Sequence, residues 1–556
     1  MLKIMTPSTA EIKVKDLDHC GIIAGIIDEI GLVTQIDKTI SKHGNQKVTT
    51  GQAVKAMILN SLGMISSPLY LFEKFFQGKA TEHLLGEGVL PEHLNDDCLG
   101  RALDKLYQAG VTKVFVTVAL AAARKMGVEV KSLHLDSSSF HVDGKYMEAE
   151  ETEAEPGQIK IQYGYSRDHR PDLKQFIIDL MCSGDGDVPL YLRVADGNEA
   201  DKSIFASLIR EFRQEWDIDT LFVADAALYS AENIQQIKSL QWLSRVPATI
   251  KEATMLLTLD HQMFVQSKID GYLIAECGSY YGGIKQRWII VESEKRKQSD
   301  LEQIDKRLAK KLVQAQRRLK QLSQQKFACE PDAQQAVQRL QKKLQFYQLD
   351  DVQLIPHFSH GKSGRPSKEQ KPTQCHYQID ASLIPNQDTI AIEKQKAGRF
   401  ILATSVLDSE QLSNDQLLIE YKEQQSTERG FRFLKDPLFF TSSVFLKSPK
   451  RIAALAMVMG LSLLVYSLGQ RALRLALAQA QQTIPNQLGK PTASPTLRWV
   501  FQCFMSVPSL FLRNLGLNKL AILPVSEVIF FSSLVLFVAN IIYSLKFFCG
   551  MSGIWE

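Results

Sequence analysis

The sequence predicts a mixed α/β chain that opens with an all-helical module. Three observations predict it: apolar side chains at helical spacing through residues 1–128, short apolar runs alternating with helical patterns from Ser132 onward, and a long basic helical pattern that breaks the composition between residues 295 and 349. Of the 556 residues, 45% are hydrophobic and 23% charged, fractions that exclude disordered, collagen-like and coiled-coil chains. The formal net charge of +4 does not announce a nucleic-acid partner, so any basic surface has to be local.

In the first module, Asn95-Asp96-Asp97 offers side-chain caps ahead of Leu99, Leu103 and Leu106, and Thr50 precedes Val54, Met57, Ile58 and Leu62 on one face. A DNA-binding helical domain is one reading of this module. A bundle with another task is the other, since no groove-reading pattern stands out. Next, Ser132–Val142 reads as a strand that turns into a second one, and residues 174–182 and 189–194 read as further strands. Residues 200–214 form a helical pattern with Ile204, Leu208 and Phe212 four apart, and 221–225 a short apolar strand ending on Asp225. A helix over 231–237 and a strand over 242–246 follow. Three antiparallel strands and then alternating helix and strand suggest a mixed sheet.

The break comes with Leu301, Ile304, Leu308, Leu312, Ala315, Leu319 and Leu322 at steps of three and four, and a second run of Val337, Leu340, Leu344 and Tyr347. Pro331 between them makes a helical hairpin rather than one rod. Residues 295–350 hold 14 Lys and Arg against 6 Asp and Glu, which makes the hairpin a basic arm. For any single charge there, the plain reading is a solvated face. A basic, turn-rich loop around Lys362, Arg365 and Lys368 follows, then strand-like stretches at 377–379, 389–392 and 400–404.

Three acids carry the chemistry. Asp136 lies inside an apolar strand, sharing a face with His134 and Ser138, and Asp225 ends another strand. A lone Asp at a strand end is ordinarily a turn residue, but a carboxylate within an apolar strand needs a partner or a metal. The third is Glu428. Tyr421, Gln424, Glu428, Arg432 and Lys435 recur at steps of three and four, so one helical face offers an acid flanked by an aromatic ring and two cations. A plain amphipathic helix does not explain why phosphate-binding groups surround one acid. Two strand carboxylates and one helix carboxylate suit two Mg²⁺ ions roughly 4 Å apart, with Mn²⁺ as a substitute, activating a water or a 3′-hydroxyl for attack at phosphorus.

At these residues the chain resembles the DDE transposases of bacterial insertion sequences, in the group with a Y-x2-R-x3-E-x6-K signature. Tyr421, Glu428 and Lys435 match that spacing, and Gln424 stands where the group has arginine. LHLDSSSF around Asp136 and FVADAALYS around Asp225 resemble its two Asp motifs. The stretch from Tyr163 to Lys174 (YGYSRDHRPDLK) and Asp196-Gly197-Asn198 belong to the same likeness, which runs from about Leu17 to about residue 515. It implies an RNase H-like mixed sheet core interrupted by an insertion domain. The expected parts are a helical domain at 1–128, the first part of the core at 129–250, an insertion at 251–405, the rest of the core at 406–520 and an apolar tail at 521–556.

The likeness also implies Asp136, Asp225 and Glu428 as catalytic metal ligands, and DNA contacts from Tyr421, Gln424, Arg432, Lys435 and Arg365. Trp288, beside Lys285 and Arg287, is a candidate for stacking on a displaced base, with a core tryptophan as the alternative. The implied reaction is Mg²⁺-dependent cleavage at the element's ends followed by 3′-hydroxyl attack on target DNA. The implied partners are the terminal inverted repeats, target DNA and a second copy of the chain.

A metal-dependent nuclease and an inactive DNA-binding remnant are the rival readings. The eight cysteines stand without any C-x-x-C pair, and residues 1–15 lack an apolar signal core; both suit a cytoplasmic protein. Residues 452–470 and 528–545 are free of charge and long enough for a membrane span. No membrane is expected: the first reads as a buried core helix. The second is either buried by the fold or a foreign, frameshifted tail. The acidic run at 148–155 reads as solvated, and His134 as support for the strand beside Asp136.

Overall fold

The apolar spacing after Thr50 becomes the helix Thr50–Leu62, started by Thr49. The Thr49 hydroxyl accepts the Gln52 backbone N–H at 3.0 Å, and the Gln52 side chain accepts that of Thr49 at 2.9 Å, so two otherwise unpaired donors are satisfied reciprocally. Asn95 caps Asp96–Ala109 in the same way, its Oδ1 accepting the Cys98 N–H at 2.9 Å. The computed structural model describes residues 12–504 apart from 42–43, 45, 65–70, 144–157, 360–373, 438–445 and 447, and beyond them only 508–512 and 518–519. Arg365, the acidic run at 148–155 and the apolar stretch at 528–545 lie outside the described residues.

Two units emerge, residues 1–243 with 419–556, and residues 244–418. In the first, the helix Val111–Lys125 packs against the strand Pro189–Ala195, while Cys20–Ile30, Thr50–Leu62 and Asp96–Ala109 pack against the helix Pro449–Gln479 and Leu32–Thr39 against Thr50–Leu62. A short strand, Ile12–Asp16, pairs antiparallel with Pro508–Leu512, a pairing that the helical reading of the N-terminal module did not anticipate. The strands run in the order Pro189–Ala195, Lys174–Ser183, Ser132–Val142, Leu221–Ala224. The first three are antiparallel and the last is parallel to Ser132–Val142, so this part of the sheet is mixed as expected.

One difference matters for the site. Ser132–Val142 is a single strand whose register against 174–183 is unbroken from Leu133 to Val142. The serines that suggest a turn instead find partners elsewhere: Ser137 Oγ donates to Asp179 of the neighbouring strand at 2.5 Å, and Ser139 Oγ accepts the backbone N–H of Arg167, in the loop before that strand, at 3.1 Å.

Residues 452–470 fall within Pro449–Gln479, a 31-residue helix. It alone among the described single helices is long and apolar enough to cross a membrane, and 89% of its apolar window is buried. It is a core helix. Gly460 lets it close on Leu192 and Phe115, to which a Cβ would come within 2.3 and 3.0 Å. Ser462 Oγ lies 2.7 Å from Ser61 Oγ of an N-terminal helix. The hairpin tip between Lys174–Ser183 and Pro189–Ala195 holds this helix too. Arg471 bonds both Asp185 oxygens at 2.6–2.8 Å and the carbonyls of Met126 and Gly127 at 2.9–3.0 Å.

In the second unit Arg399–Thr404, Ile284–Ser293, Tyr272–Tyr281 and Val265–Gln266 lie side by side, all antiparallel. Gly282 and Gly283 join the two long strands with φ of 60° and 75°, a turn that favours glycine at both positions. The basic hairpin comprises Glu294–Ser323 and Glu330–Gln341, with Pro331 in the first turn of the second helix. Its seam, Leu322, Ala333 and Leu340, closes on Ile379 of the strand Gln374–Pro385. Residues 389–392, strand-like by their β-branched content, lie in the helix Gln387–Lys396. Asn386 decides this by capping the Thr389 N–H at 3.1 Å, a local bond that outweighs weak strand propensity.

Arg471 is 10% exposed and satisfies two carbonyls as well as a carboxylate. Arg471→Met leaves those groups unpaired and is expected to lower the unfolding free energy by about 3 kcal/mol, read as a fall in the urea midpoint at unchanged slope.

Candidate active site

Two strand ends bring the first two acids together. Leu135 pairs with Ala224 in the parallel ladder, and one step further along that register stand Asp136 and Asp225. Neighbouring strands lie about 4.8 Å apart, and the two carboxylates interact electrostatically. The Asp136 side chain is 19% exposed. Its Oδ1 accepts the Ser137 N–H at 2.8 Å and lies 3.4 Å from Arg167 Nη1. Burial pushes the Asp136 carboxyl up to about 7, and Asp225 and Asp201 add to the rise against the opposing pull of Arg167 and the Ser137 N–H. Asp225 is exposed, its Oδ1 accepting the Ala227 N–H at 2.8 Å.

The third acid arrives on the short helix Gln425–Leu434, held at three points. Gln424 Nε2 donates to the Leu135 carbonyl at 2.8 Å, one residue before Asp136. Arg429 forms a fork with Asp187 at 2.6 and 2.7 Å, and Lys435 Nζ bonds Asp168 at 2.8 and 2.9 Å. Gly430 lets the helix settle on the sheet, since a Cβ there would meet Leu180 at 3.0 Å. Phe431 lies 6.4 Å from Phe140. His134, Asp136 and Phe140 share one strand face, so the helix crosses the face that carries Asp136. Glu428, exposed, stands one turn beyond Gln424.

The expected stripe spans two helices rather than one. The chain breaks between Asn414–Lys422 and Gln425–Leu434. There the Gln424 N–H turns to the Tyr421 carbonyl, and the Thr427 hydroxyl takes the Gln424 carbonyl at 2.9 Å. Gln424, Glu428, Arg432 and Lys435 therefore stack, while half-buried Tyr421 belongs to the preceding helix. Gln424, read as a phosphate contact, spends its amide on docking the helix. Arg432 is exposed on the Glu428 face, and Lys435 is paired with Asp168.

Trp288 corrects an expectation: it is fully buried in the strand Ile284–Ser293, its Nε1 donating to Gln286 at 3.1 Å. No face is open to a base. His134 is also fully buried and held neutral, burial lowering it to about 4, in keeping with support of the strand.

Five polar residues at the site escaped the sequence reading. Arg167 donates to the Ser137 carbonyl and pairs with Asp201 as well as Asp136. On the far face of the strand, buried Asp179 accepts Ser137 Oγ and Arg193 Nε at 2.5 and 2.8 Å, and Arg193 pairs with Glu199. The signal for Arg167 was present, since it lies within the 163–174 motif. Asp201 gave none beyond a helix start.

Residues 134–466, more than half of the chain, match the family described as Transposase DDE domain. The chain belongs to the DDE transposase family. The match spans Asp136, Asp225 and Glu428, and it places this transposase among enzymes that cleave and rejoin phosphodiesters in DNA transposition, generally with divalent metal ions. Residues 12–120 match a domain of unknown function, DUF4277. Among curated proteins, none matches. Among solved structures, the cryo-EM structure of a piggyBac transposase synaptic complex with hairpin DNA is similar at 9% identity, over 89% of this chain and 83% of that chain, with a TM-score of 0.35.

The donor set fits a divalent cation. Asp136 and Asp225 offer hard oxygens side by side, and burial, with Asp225 and Asp201 adding to it, disfavours the bare Asp136 carboxylate, which a cation would favour. The other grouping of ligand types among the described residues, Asp18, His19 and Cys20, is a helix start. Asp18 caps the Cys20 N–H at 2.7 Å, and its second oxygen pairs with Lys79, so a cation is already present.

With its folded value above the ordinary 3.8, Asp136 takes up a proton on folding, and stability falls as pH rises from about 4 to about 7. Asp136→Asn removes that loss. In EDTA at pH 8 the variant is expected to be more stable than the parent by roughly 2 kcal/mol, with the gap closing toward pH 4; thermal unfolding at pH 4, 6 and 8 checks this.

Proposed function

We propose that this transposase cleaves the ends of its insertion sequence and joins the freed 3′-hydroxyls to target DNA, using Asp136, Asp225 and Glu428 as its metal-holding carboxylates. The observation that carries this reading is the meeting of two acids on adjacent parallel strands beneath a helix that presents the third. These residues would hold two Mg²⁺ ions, or Mn²⁺ in their place. Such ions activate the attacking oxygen and stabilise the leaving one.

The rest falls to the protein. Arg432, on the Glu428 face, neutralises phosphate beside the scissile bond. Gln424 and Arg429 keep the Glu428 helix in register with the strand acids. The exposed lysines and arginines of Glu294–Ser323 contact the duplex backbone as a sequence-independent arm. Arg365, close after that arm in sequence, is a further proposed DNA contact. Residues 1–128 remain a proposed DNA-binding module, and the active form is a homodimer that pairs two ends, acting in the cytoplasm.

The test is incubation with DNA of the element's ends, Mg²⁺ and a target plasmid. Asp136→Asn, Asp225→Asn and Glu428→Gln are each expected to cut cleavage by at least about 100-fold while binding of the ends persists. Joined products distinguish strand transfer from hydrolysis alone. Normal cleavage by any one variant removes that residue from the site.

A further inference from the structure

The motif at 163–174 meets the catalytic elements through Arg167 and Asp168, which leaves Tyr163 and Tyr165 unexplained. They are 56% and 85% exposed, the only exposed large aromatic side chains among the described residues of their unit. The backbone that carries them is nonetheless tightly clamped. Gln162 and Gln175 exchange backbone bonds at 3.0 and 3.2 Å. The buried Gln175 side chain donates to the Tyr165 and Gly197 carbonyls at 3.2 and 2.7 Å. Gln162 Nε2 donates to Asn198 at 2.6 Å, and the Lys160 N–H to Asp196 at 2.8 Å.

Between the rings, Gly164 is obligatory: a Cβ would stand 2.0 Å from the Gly197 carbonyl oxygen. Asp196-Gly197-Asn198 is thus the other half of the clamp. Two apolar rings held out into water on a fixed backbone are preorganised for a planar partner.

Position and charge identify that partner. Arg167, two residues after Tyr165, reaches Asp136 and Asp201. Two residues of chain span at most about 7 Å, so the rings stand within a few nucleotide steps of a phosphate at Asp136. Lys174 Nζ lies 5.8 Å from the Tyr163 ring centre. Lys160 is exposed nearby, while Arg170 and Lys435 are matched by Asp172 and Asp168. The surface suits an aromatic base carried on an anionic backbone.

Resting on the proposed function, we propose that Tyr163 and Tyr165 form a stacking platform for unpaired nucleobases next to the phosphate cleaved at Asp136, Asp225 and Glu428. Stacking needs the ring and not the hydroxyl, and it is indifferent to base identity.

The test measures binding of the full chain, in EDTA, to an end duplex whose nucleotides flanking the cleaved phosphate are unpaired. These nucleotides are either thymines or abasic sugars of equal charge. The parent is expected to prefer the thymine duplex. Tyr163→Ala and Tyr165→Ala should each reduce that preference roughly ten-fold, leaving abasic binding unchanged. Tyr163→Phe and Tyr165→Phe should retain it. Equal preference in parent and alanine variants, or loss in the phenylalanine variants, overturns the platform even where the parent cleaves DNA with Mg²⁺. A parent that neither binds nor cleaves the duplex overturns the proposed function, and the platform with it.

Discussion

A carboxylate inside a sheet has too little positive charge around it, and the surroundings of Asp136 are built on that constraint. Its strand is covered on both faces, so desolvation opposes ionisation, and Asp225 and Asp201 deepen the deficit. Arg167 offsets part of it with one guanidinium shared between Asp136, Asp201 and the Ser137 carbonyl. One cation for three carboxylates leaves room for further positive charge, which is the electrostatic condition for binding metal. Behind the strand, Asp179, Arg193 and Glu199 form a second network in which one guanidinium serves two carboxylates.

The face that carries Asp136 receives the Glu428 helix, and its three anchors reach different parts of the chain. Gln424 bonds the backbone of the Asp136 strand, Arg429 the hairpin tip at Asp187, and Lys435 the 163–174 segment at Asp168. The hairpin tip also holds the core helix through Asp185 and Arg471, so one tight turn positions two helices. Lys435 Nζ further sits 5.2 Å from the Phe140 ring centre, on the strand of Asp136. A ten-residue helix with so few turns has little stability of its own; these contacts fix where its acid points.

Much of this was legible in the sequence, and the exceptions have physical causes. Asp136 stood out because an acid in an apolar strand has no ordinary explanation. Glu428 stood out because polar groups recurred at helical steps around it. The interruption at residues 423–424, which leaves Tyr421 in the preceding helix, was not legible because it leaves the spacing of side-chain types unchanged. Trp288 looked available because lysine and arginine flank it, yet both faces of its strand are covered and Arg287 is buried with it. Arg167 and Asp201 were invisible as a pair, since only the tertiary fold joins a loop to the start of a helix.

The central claim is that Asp136, Asp225 and Glu428 surround one divalent-ion site. Iron-directed cleavage of the protein tests it most directly: Fe²⁺ is loaded in place of Mg²⁺, ascorbate and peroxide are added, and the backbone cuts are mapped. The account predicts cuts near residues 136, 225 and 428 together, all suppressed by excess Mg²⁺. Cuts confined to one of the three, or clustered instead at residues 18–20, would contradict it.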